Sequence, residues 1–398
     1  MVRLLVARFS SYNRVTVSLQ SDYNLNYVSR LLVTGFFPLI FFTAAAVACE
    51  SQPAPNPYIF HAGGVKFRPS GFLEGIAMQR SATTGDTVST RFGRIPLQPT
   101  PSEDLLSAGH SRVDMCAQAG NLSVYVEADF LNAPGKEAFR FRQYWGEYRL
   151  GKWRILGGQA WSLLRPNRQG IESQGRLMNT LVVEPAYNVG LAGLRNHQLR
   201  ITREAGNWNF AVSYEEGKTF LGKVAHDSHL LHLEAIALGG AHRGAASTAA
   251  VIHAPHKIDI VTQQVVSHGL GPELLNTIPA GVNAHSTILG TEIRVRPTLE
   301  LFAYGGIAYG ARSAGNRTVR QWSVGIIRHL FEQQPWGAAS LSAQFSQLDR
   351  STWPGGYGDM NYVQLAFRYS LPGSRSMFAA RTPRAVLPTS RPAEDAVH

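Results

Sequence analysis

The stretch from Asn121 to Leu164 constrains the fold most, because polar and apolar residues alternate along it. In Leu122–Phe130 every second residue is apolar, and the residues between them are serine, tyrosine, glutamate and aspartate. Successive side chains of a β-strand point to opposite faces, so this segment is predicted to be a strand with one apolar and one polar face. Two further predicted strands, Phe139–Arg149 and Trp153–Leu163, follow with only three residues between them.

The same alternation recurs along the chain almost to Leu371. It is clean in Trp208–Glu215 and in the last third of the sequence, but weak between residues 227 and 285. We count about 14 strands, and a barrel that uses roughly 20 residues for each strand and connection would hold about 16 over this length. The pattern therefore predicts an all-β fold, a transmembrane antiparallel β-barrel of about 16 strands.

The composition favours a membrane barrel over a soluble domain. Charged residues make up 16% of the chain, against about 25% in a typical soluble protein. A helical membrane protein would contain several apolar runs of roughly 20 residues, and this sequence has one, Leu31–Ala48. Aromatic residues near strand ends, such as Trp153 and Trp208, are typical of the interfacial girdles of barrels. An exported soluble β-sandwich that acts as a binding protein also alternates, and it remains the alternative.

The chain divides into four predicted segments. The apolar run follows Arg30 and ends in an Ala-x-Ala cleavage pattern at residues 46–48, which is typical of a secretory signal peptide; a retained membrane anchor is the alternative. An exported chain could also oxidise its two cysteines, Cys49 and Cys116, to a disulfide. The segments are residues 1–48, leader and signal peptide; 49–64, linker; 65–371, outer-membrane β-barrel; and 372–398, disordered C-terminal tail.

Residues 165–197 lack periodicity over a length that is uncommon in compact folds and tends to be functional. In a barrel this segment could fold inward and narrow the pore; the alternative is a solvated surface loop. Arg165, Arg168 and Arg176 are its predicted constriction residues, because guanidinium groups bind carboxylates in bidentate geometry. Of the net charge of +11, +6 lies between residues 49 and 371, which agrees with a basic lumen that favours small anionic solutes.

A passive pore needs a width, an electric field and hydrogen-bonding walls rather than a catalytic group. The lumen candidates are polar residues of the predicted strands, and each could alternatively be an ordinary member of ion pairs along the wall. By parity Arg140 and Arg142 point to the opposite face from Gln143, which would place them at the membrane edge. The predicted pore-lining residues are Tyr125, Glu127, Asp129, Gln143, Glu147, Gln159, Arg294 and Arg368.

No motif in the sequence indicates catalysis. His226, His229 and His232 are spaced by three residues, which alternates faces on a strand, so they are not expected to bind a metal ion together. No nucleophile elbow, zinc-protease motif or phosphate-binding glycine loop is present, and no nucleic-acid-binding motif accompanies the basic charge. We expect no cofactor, no nucleic-acid partner and no enzymatic activity, although a barrel enzyme of the outer membrane remains an alternative.

Four segments of the sequence resemble the DcaP-like porins. They are KFRPSGFLEGIAMQRS (66–81), YVEADFL (125–131), FRFRQYWGEYRLGKWRILGGQAWSLLRPNRQGI (139–171) and MNYVQLAFRYSLP (360–372). The resemblance implies a homotrimeric outer-membrane porin, embedded in lipid, that takes up small solutes passively, including anions such as dicarboxylates. The chain departs from this pattern in two ways. No heptad segment follows the signal peptide, and 27 residues follow Leu371, where such porins usually end on an aromatic residue.

Overall fold

The computed structural model describes residues 58–133, 136–173, 177–183, 187–312, 315–334 and 336–372. The regular structure of these residues is almost entirely β-strand. Single 3₁₀ turns lie at Phe92–Arg94, Pro255–Lys257 and Pro272–Leu274. Among the described residues no helix has the length and apolar character needed to cross a membrane.

Eighteen strands follow one another along the described chain. They are β1 Phe60–Ala62, β2 Val65–Arg80, β3 Glu103–Ser107, β4 Arg112–Ala119, β5 Leu122–Ala133, β6 Lys136–Leu150, β7 Trp153–Trp161, β8 Arg195–Ala205, β9 Trp208–Glu215, β10 Thr219–Asp227, β11 Leu231–Gly240, β12 Arg243–Ala254, β13 Ile258–His268, β14 Asn283–Arg296, β15 Leu299–Gly310, β16 Asn316–Gln334, β17 Gly337–Thr352 and β18 Tyr357–Ser370.

The sheet closes on itself as an antiparallel barrel. Each strand from β4 onward pairs with the next, and β18 pairs back with β2, where Leu365 lies opposite Ala77. Both β3 and β4 pair with β2, so they are two halves of one interrupted barrel strand. With β3 and β4 counted once and the short β1 left aside, the barrel has 16 strands. The predicted barrel is confirmed, and the alternative sandwich is excluded because a closed sheet cannot form two facing layers.

The two faces of each strand have different environments. In β9, Trp208 and Tyr214 are exposed on the outside, whereas Asn209 and Glu215 are buried inside. This is the facing that the alternation predicts. The outside of the barrel is an apolar band, which also includes Ile155, Leu199, Phe210, Val212, Phe220, Leu289, Trp322, Val324, Ile326, Leu341, Val363, Leu365 and Phe367.

The two ends of the barrel differ in their connections. At one end, the turn end, two-residue connections such as 151–152 and 206–207 join neighbouring strands. Gly151 and Gly206 adopt positive φ angles of 57° and 64° there, which glycine reaches without steric cost. The other end, the loop end, carries three long connections. They are residues 81–102, 162–194 and 269–282.

The three long connections pack against one another and against the inner wall, so the apolar core lies inside the barrel. Phe92, Leu163, Val189 and Ile278 of these connections are fully or almost fully buried in one cluster. The wall contributes inward-facing apolar side chains to the same cluster, namely Ile76, Met78, Val319, Leu348 and Met360. The lumen at the loop end is therefore largely occupied by protein rather than lined only by polar side chains.

The described structure covers only the middle of the four predicted segments. The barrel strands run from Val65 to Ser370, and β1 lies within the stretch that the sequence predicts to be a linker. Cys116 is buried beside Tyr125 and carries no free thiol. Cys49, the predicted leader and signal peptide, and residues 373–398 of the predicted tail lie outside the described residues.

Candidate functional site

The described parts of residues 162–194, here called the inner loop, fold into the barrel; they are 162–173, 177–183 and 187–194. Their backbone N–H groups donate hydrogen bonds to side chains of the inner wall, which satisfies donors that would otherwise be buried without a partner. The acceptors lie on four different strands, β13, β15, β16 and β17. The bonds run from Leu181 to Tyr304 Oη at 2.8 Å, from Val183 to Gln344 Oε1 at 2.6 Å, from Val189 to Gln321 Oε1 at 2.8 Å and from Ala192 to Gln263 Oε1 at 2.8 Å.

The inner loop approaches the wall closely enough that two glycines are required. A Cβ atom on Gly306 of β15 would lie 1.7 Å from the carbonyl oxygen of Val189. A Cβ atom on Gly190 would lie 2.0 Å from Thr287 O, and Gly190 has a φ of +96°. Of the two predictions for this segment, the inward fold is therefore confirmed and the surface loop is wrong.

Charged wall residues hold the beginning of the inner loop. Lys223 Nζ donates to Arg165 O at 2.9 Å and to Asn167 Oδ1 at 2.8 Å. Arg168 contacts Glu292 directly, and its Nη1 lies 3.6 Å from Asp259 Oδ2. Arg168, a predicted constriction residue, is thus paired with the wall of β13 and β14 and acts as an anchor. The predicted constriction residue Arg176 lies outside the described residues.

Four guanidinium groups lie near enough to Tyr187 of the inner loop for their charges to act on its phenol, and we call them the arginine cluster. Burial alone would raise the pKa of the Tyr187 phenol, but the positive charges of the cluster together lower this pKa below its ordinary value. The members come from four different elements of the chain. They are Arg112 at the start of β4, Arg142 in β6, Arg165 in the inner loop and Arg195 at the start of β8.

Carboxylates are fewer than guanidinium groups at this place. Glu127 accepts from Arg142 Nε at 2.7 Å, and Arg112 Nη1 lies 3.9 Å from the same carboxylate. Among the described residues no carboxylate lies within ion-pair distance of Arg195. Positive charge that is concentrated on one wall of a lumen creates a field that attracts anions.

A β-bulge turns Arg142 into the lumen. Glu127 lies opposite Gln143, but the next residue, Ala128, lies opposite Phe141, so Arg142 is an extra residue in β6. Both Arg142 and Gln143 are consequently buried inside the barrel. A bulge inserts one residue and reverses the alternation on either side of it.

The predicted position of Arg140 and Arg142 at the membrane edge is therefore wrong. Arg140 binds Asp129 through two hydrogen bonds, Nε to Oδ1 at 2.9 Å and Nη2 to Oδ2 at 2.7 Å. Arg142 Nη1 donates to the same carboxylate at 2.5 Å. Both arginines thus bind an aspartate of the inner wall.

Most other predicted lumen residues are buried inside the barrel. Tyr125, Glu127, Asp129, Gln143 and Glu147 lie on the inner face of β5 and β6. Arg368 and Arg294 are also on the inner wall, where each is paired with a carboxylate. The ion pairs are Arg368 Nη2 to Glu74 Oε1 at 2.6 Å and Arg294 Nη2 to Glu300 Oε1 at 2.6 Å.

The lumen prediction for Gln159 is wrong. In the ladder Gln159 lies between Tyr144 and His197, which are both exposed on the outside of the barrel. Gln159 has the same parity as Trp153 and Ile155, which also face outward.

Sequence reasoning missed Arg112, Arg195 and Tyr187 as site residues. Arg112 follows the break between β3 and β4, where the sequence does not alternate and so does not indicate whether a side chain faces the lumen or the lipid. Arg195 and Tyr187 lie in the segment without periodicity. The only available signal was the number of arginines in that segment, which points to a basic site but does not identify its members.

The three histidines do not converge. His232 is inside the barrel, with Nδ1 2.8 Å from Asp227 Oδ1 and Nε2 3.1 Å from Glu234 Oε1. His226 packs on the outward-facing Trp208, with ring centroids 4.6 Å apart. In the described part of the chain no group of three histidine, cysteine, aspartate or glutamate side chains has the geometry of a metal site.

Comparison with known proteins supports the fold through solved structures alone. No protein-family model and no curated protein matches the sequence. The outer membrane channel DcaP of Acinetobacter baumannii is similar to this chain with a TM-score of 0.65 and 15% identity, over 78% of this chain and 99% of that one.

Two further solved structures have the same architecture. OmpT, an outer membrane protein of Vibrio cholerae, matches with a TM-score of 0.53 and 10% identity, over 79% of this chain and 99% of that one; it is also known in a trimer form. An anion-selective porin from Comamonas acidovorans matches with a TM-score of 0.53 and 14% identity, over 77% of this chain and all of the other. At such low identities the likeness shows a shared fold, the closed porin-type barrel.

Proposed function

We propose that the protein is an outer-membrane porin that lets small hydrophilic solutes diffuse passively, with a preference for anions such as dicarboxylates. The arginine cluster beside the inner loop is the observation that carries this proposal. It concentrates positive charge where the loop narrows the lumen, and a pore selects ions through the charges that line its constriction. Under this proposal the protein catalyses no reaction.

The inner loop determines where the solute path runs. Its hydrogen bonds attach it to β13 and to β15–β17, and its polar anchors lie on β10, β11, β13 and β14. The arginine cluster draws instead on β4, β6 and β8. Two further hydrogen bonds join the loop to β7 and β8, from Arg154 Nη2 to Ile171 O at 2.6 Å and from Arg200 Nη1 to Ser173 Oγ at 3.4 Å. We propose that the solute path runs past the guanidinium groups of the arginine cluster.

The chemistry of the guanidinium group supports the proposal that carboxylates are among the solutes that pass. An arginine offers a planar fork of N–H donors that matches the two oxygens of a carboxylate, and it keeps its charge over the physiological pH range. Among proteins that share this fold, the one from Comamonas acidovorans is an anion-selective porin.

The remaining parts of the proposal concern the setting of the pore. The apolar outer band fits a lipid bilayer, and the solved structures with this fold are outer membrane proteins. We propose export through the signal peptide of residues 1–48, and assembly as a homotrimer, as in the trimer form of OmpT.

The test is conductance of the purified full-length protein in a planar bilayer, with the reversal potential measured across a salt gradient. We expect discrete current steps and a reversal potential of the sign that anion preference gives.

Arg195→Gln should lower the anion-to-cation permeability ratio about two- to fivefold, equivalent to about 0.5–1 kcal/mol. Arg320→Gln is the matched control, because Arg320 is exposed on the outer face of β16. Cation preference in the unmodified protein would refute the anion proposal, and the absence of steps from folded protein would refute the pore.

A further inference from the structure

Two aromatic rings beside the arginine cluster each have two guanidinium groups over them. The Cζ atoms of Arg165 and Arg195 both lie 5.0 Å from the centre of the Trp161 ring. The Cζ atoms of Arg112 and Arg368 lie 5.3 Å and 4.4 Å from the centre of the Phe72 ring. Three of these four arginines belong to the arginine cluster, and the fourth, Arg368, is also paired with Glu74.

The backbone places both rings for this contact. Trp161 lies directly opposite Arg195 in the ladder of β7 and β8, and it is only 6% exposed. Phe72 lies directly opposite Arg112 in the ladder of β2 and β4. Each ring therefore contacts one arginine of the strand paired with its own, and it contacts a second arginine that belongs to a different element.

Like charges that are held close together repel, so a cluster of arginines needs groups that offset this repulsion. Carboxylates would offset it but would also cancel the positive field. An aromatic ring attracts a guanidinium group through the negative charge density of its face, and it adds no net charge. A guanidinium group is also weakly hydrated and stacks readily on aromatic surfaces.

We propose that Trp161 and Phe72 are positioning residues for anion selectivity, because each ring holds two guanidinium groups at the lumen without neutralising them. This rests on the proposed anion-preferring pore. Under this proposal the two rings act through the guanidinium groups and do not bind the solute themselves. Their role is to set where the positive charges lie and to keep Arg165, Arg195 and Arg112 from turning away from one another.

The test compares variants that keep or remove the aromatic face. Trp161→Phe and Phe72→Tyr retain an aromatic ring, whereas Trp161→Leu and Phe72→Leu replace the ring with a smaller apolar side chain. The readouts are single-channel conductance and the anion-to-cation permeability ratio from the reversal potential. Each leucine variant removes two cation–π contacts, and we expect it to lower the ratio about two- to fivefold, equivalent to about 0.5–1 kcal/mol. The aromatic variants should keep the ratio within about twofold of the unmodified protein.

A double-mutant cycle separates positioning from general packing. In a chain that already carries Arg165→Gln and Arg195→Gln, Trp161→Leu should have no further effect on the permeability ratio, because no guanidinium group remains over the ring. A further drop of the permeability ratio in this triple variant would overturn the proposal. So would single leucine variants whose permeability ratio equals that of the unmodified protein. Phe72→Leu repeats the test at an independent ring if Trp161→Leu fails the heat-modifiability check for folding.

The outcome can be distinguished from failure of the proposed function. If the unmodified protein shows no anion preference, the pore proposal fails before any variant is compared. If the unmodified protein prefers anions and both leucine variants keep that preference, only the positioning role fails.

Discussion

Lys223 and Glu234 form an ion pair inside the barrel, with 2.9 Å between Nζ and Oε1, and neither side chain is exposed. The same two residues bind the beginning of the inner loop. Lys223 donates to the loop at Arg165 O and Asn167 Oδ1, and Glu234 Oε1 accepts the backbone N–H of Asn167 at 3.1 Å. One ion pair between β10 and β11 therefore connects the stability of the wall to the position of the constriction.

Replacing Lys223 by methionine should loosen the inner loop. The change removes Lys223 from the buried Glu234, so that of its two charged neighbours only His232, with Nε2 at 3.1 Å, remains. Breaking a buried ion pair costs about 3–5 kcal/mol, and the change also removes both hydrogen bonds from Lys223 to the loop. We expect noisier open-channel current and loss of the folded, heat-modifiable form at a lower temperature. The double variant Lys223→Met/Glu234→Gln should be milder, because it leaves no unpaired charge. Lys152→Met, at an exposed turn, is the control; equal noise in Lys152→Met and Lys223→Met would contradict the anchoring role.

For strands whose inner side contacts water or polar groups, the alternation of polar and apolar residues correctly predicted which side chains point into the barrel and which point outward. In β9 the outward Trp208 and Phe210 and the inward Asn209 and Ser213 have the predicted positions. The physical reason is that lipid outside and a polar lumen inside select different residues at every second position.

The weak pattern of residues 227–285 has a physical cause in the inner loop. Val251 of β12 and Val261 of β13 face inward, yet they are apolar because they pack against Met178 and Leu181 of the loop. A strand that is covered on its inner face and meets lipid on its outer face is apolar on both sides. Its period of two therefore disappears from the sequence.

The arginine cluster depends on relationships that local sequence does not contain. The bulge at Arg142 reverses the facing of one residue in β6, and no glycine or proline marks it. Arg112, Arg165 and Arg195 are far apart in the chain and meet only because the barrel closes and the inner loop folds into it. Sequence reasoning found the basic segment and named Arg165, but it also named Arg168, which the wall neutralises.

Arg168 and Arg195 should have different effects when each is changed to glutamine. Arg168 is paired with Glu292 and lies 3.6 Å from Asp259, so Arg168→Gln should increase current noise with little effect on the permeability ratio. Arg195→Gln should lower the ratio without added noise, because its charge serves the lumen rather than the anchoring of the loop. Recording both variants under the same salt gradient checks this. A similar drop in the ratio for both would mean that Arg168 also acts on the solute.

Two neighbouring glycines of β15 provide a test of the contact between loop and wall. Gly306→Ala should displace the inner loop, because the new Cβ would lie 1.7 Å from Val189 O and backbone atoms must move. Gly305→Ala is the matched control, since a Cβ there has no atom within 4 Å. We expect Gly306→Ala to change single-channel conductance and to increase protease cleavage in residues 162–194, while Gly305→Ala behaves as the unmodified protein. Identical conductance and cleavage in the two variants would show that the loop does not contact the wall here.

The phenol of Tyr187 should make anion preference depend on pH in the alkaline range. The positive charges of the arginine cluster outweigh the effect of burial and lower the pKa of Tyr187 below its ordinary value. Deprotonation places a negative charge among the guanidinium groups, so the net positive charge falls as pH rises through that lowered pKa. The anion-to-cation permeability ratio should therefore be constant near neutral pH and fall as the pH is raised, with the midpoint of the fall below about 10, the ordinary pKa of tyrosine.

Tyr187→Phe should remove this alkaline decrease, because the ring remains and the ionisable hydroxyl is lost. Tyr214→Phe, on the outer face of β9, should keep it. The measurement is the reversal potential in one salt gradient at a series of pH values for the three proteins. If the decrease persists unchanged in Tyr187→Phe, another group titrates at the constriction, and the electrostatic coupling between Tyr187 and the arginine cluster does not control selectivity.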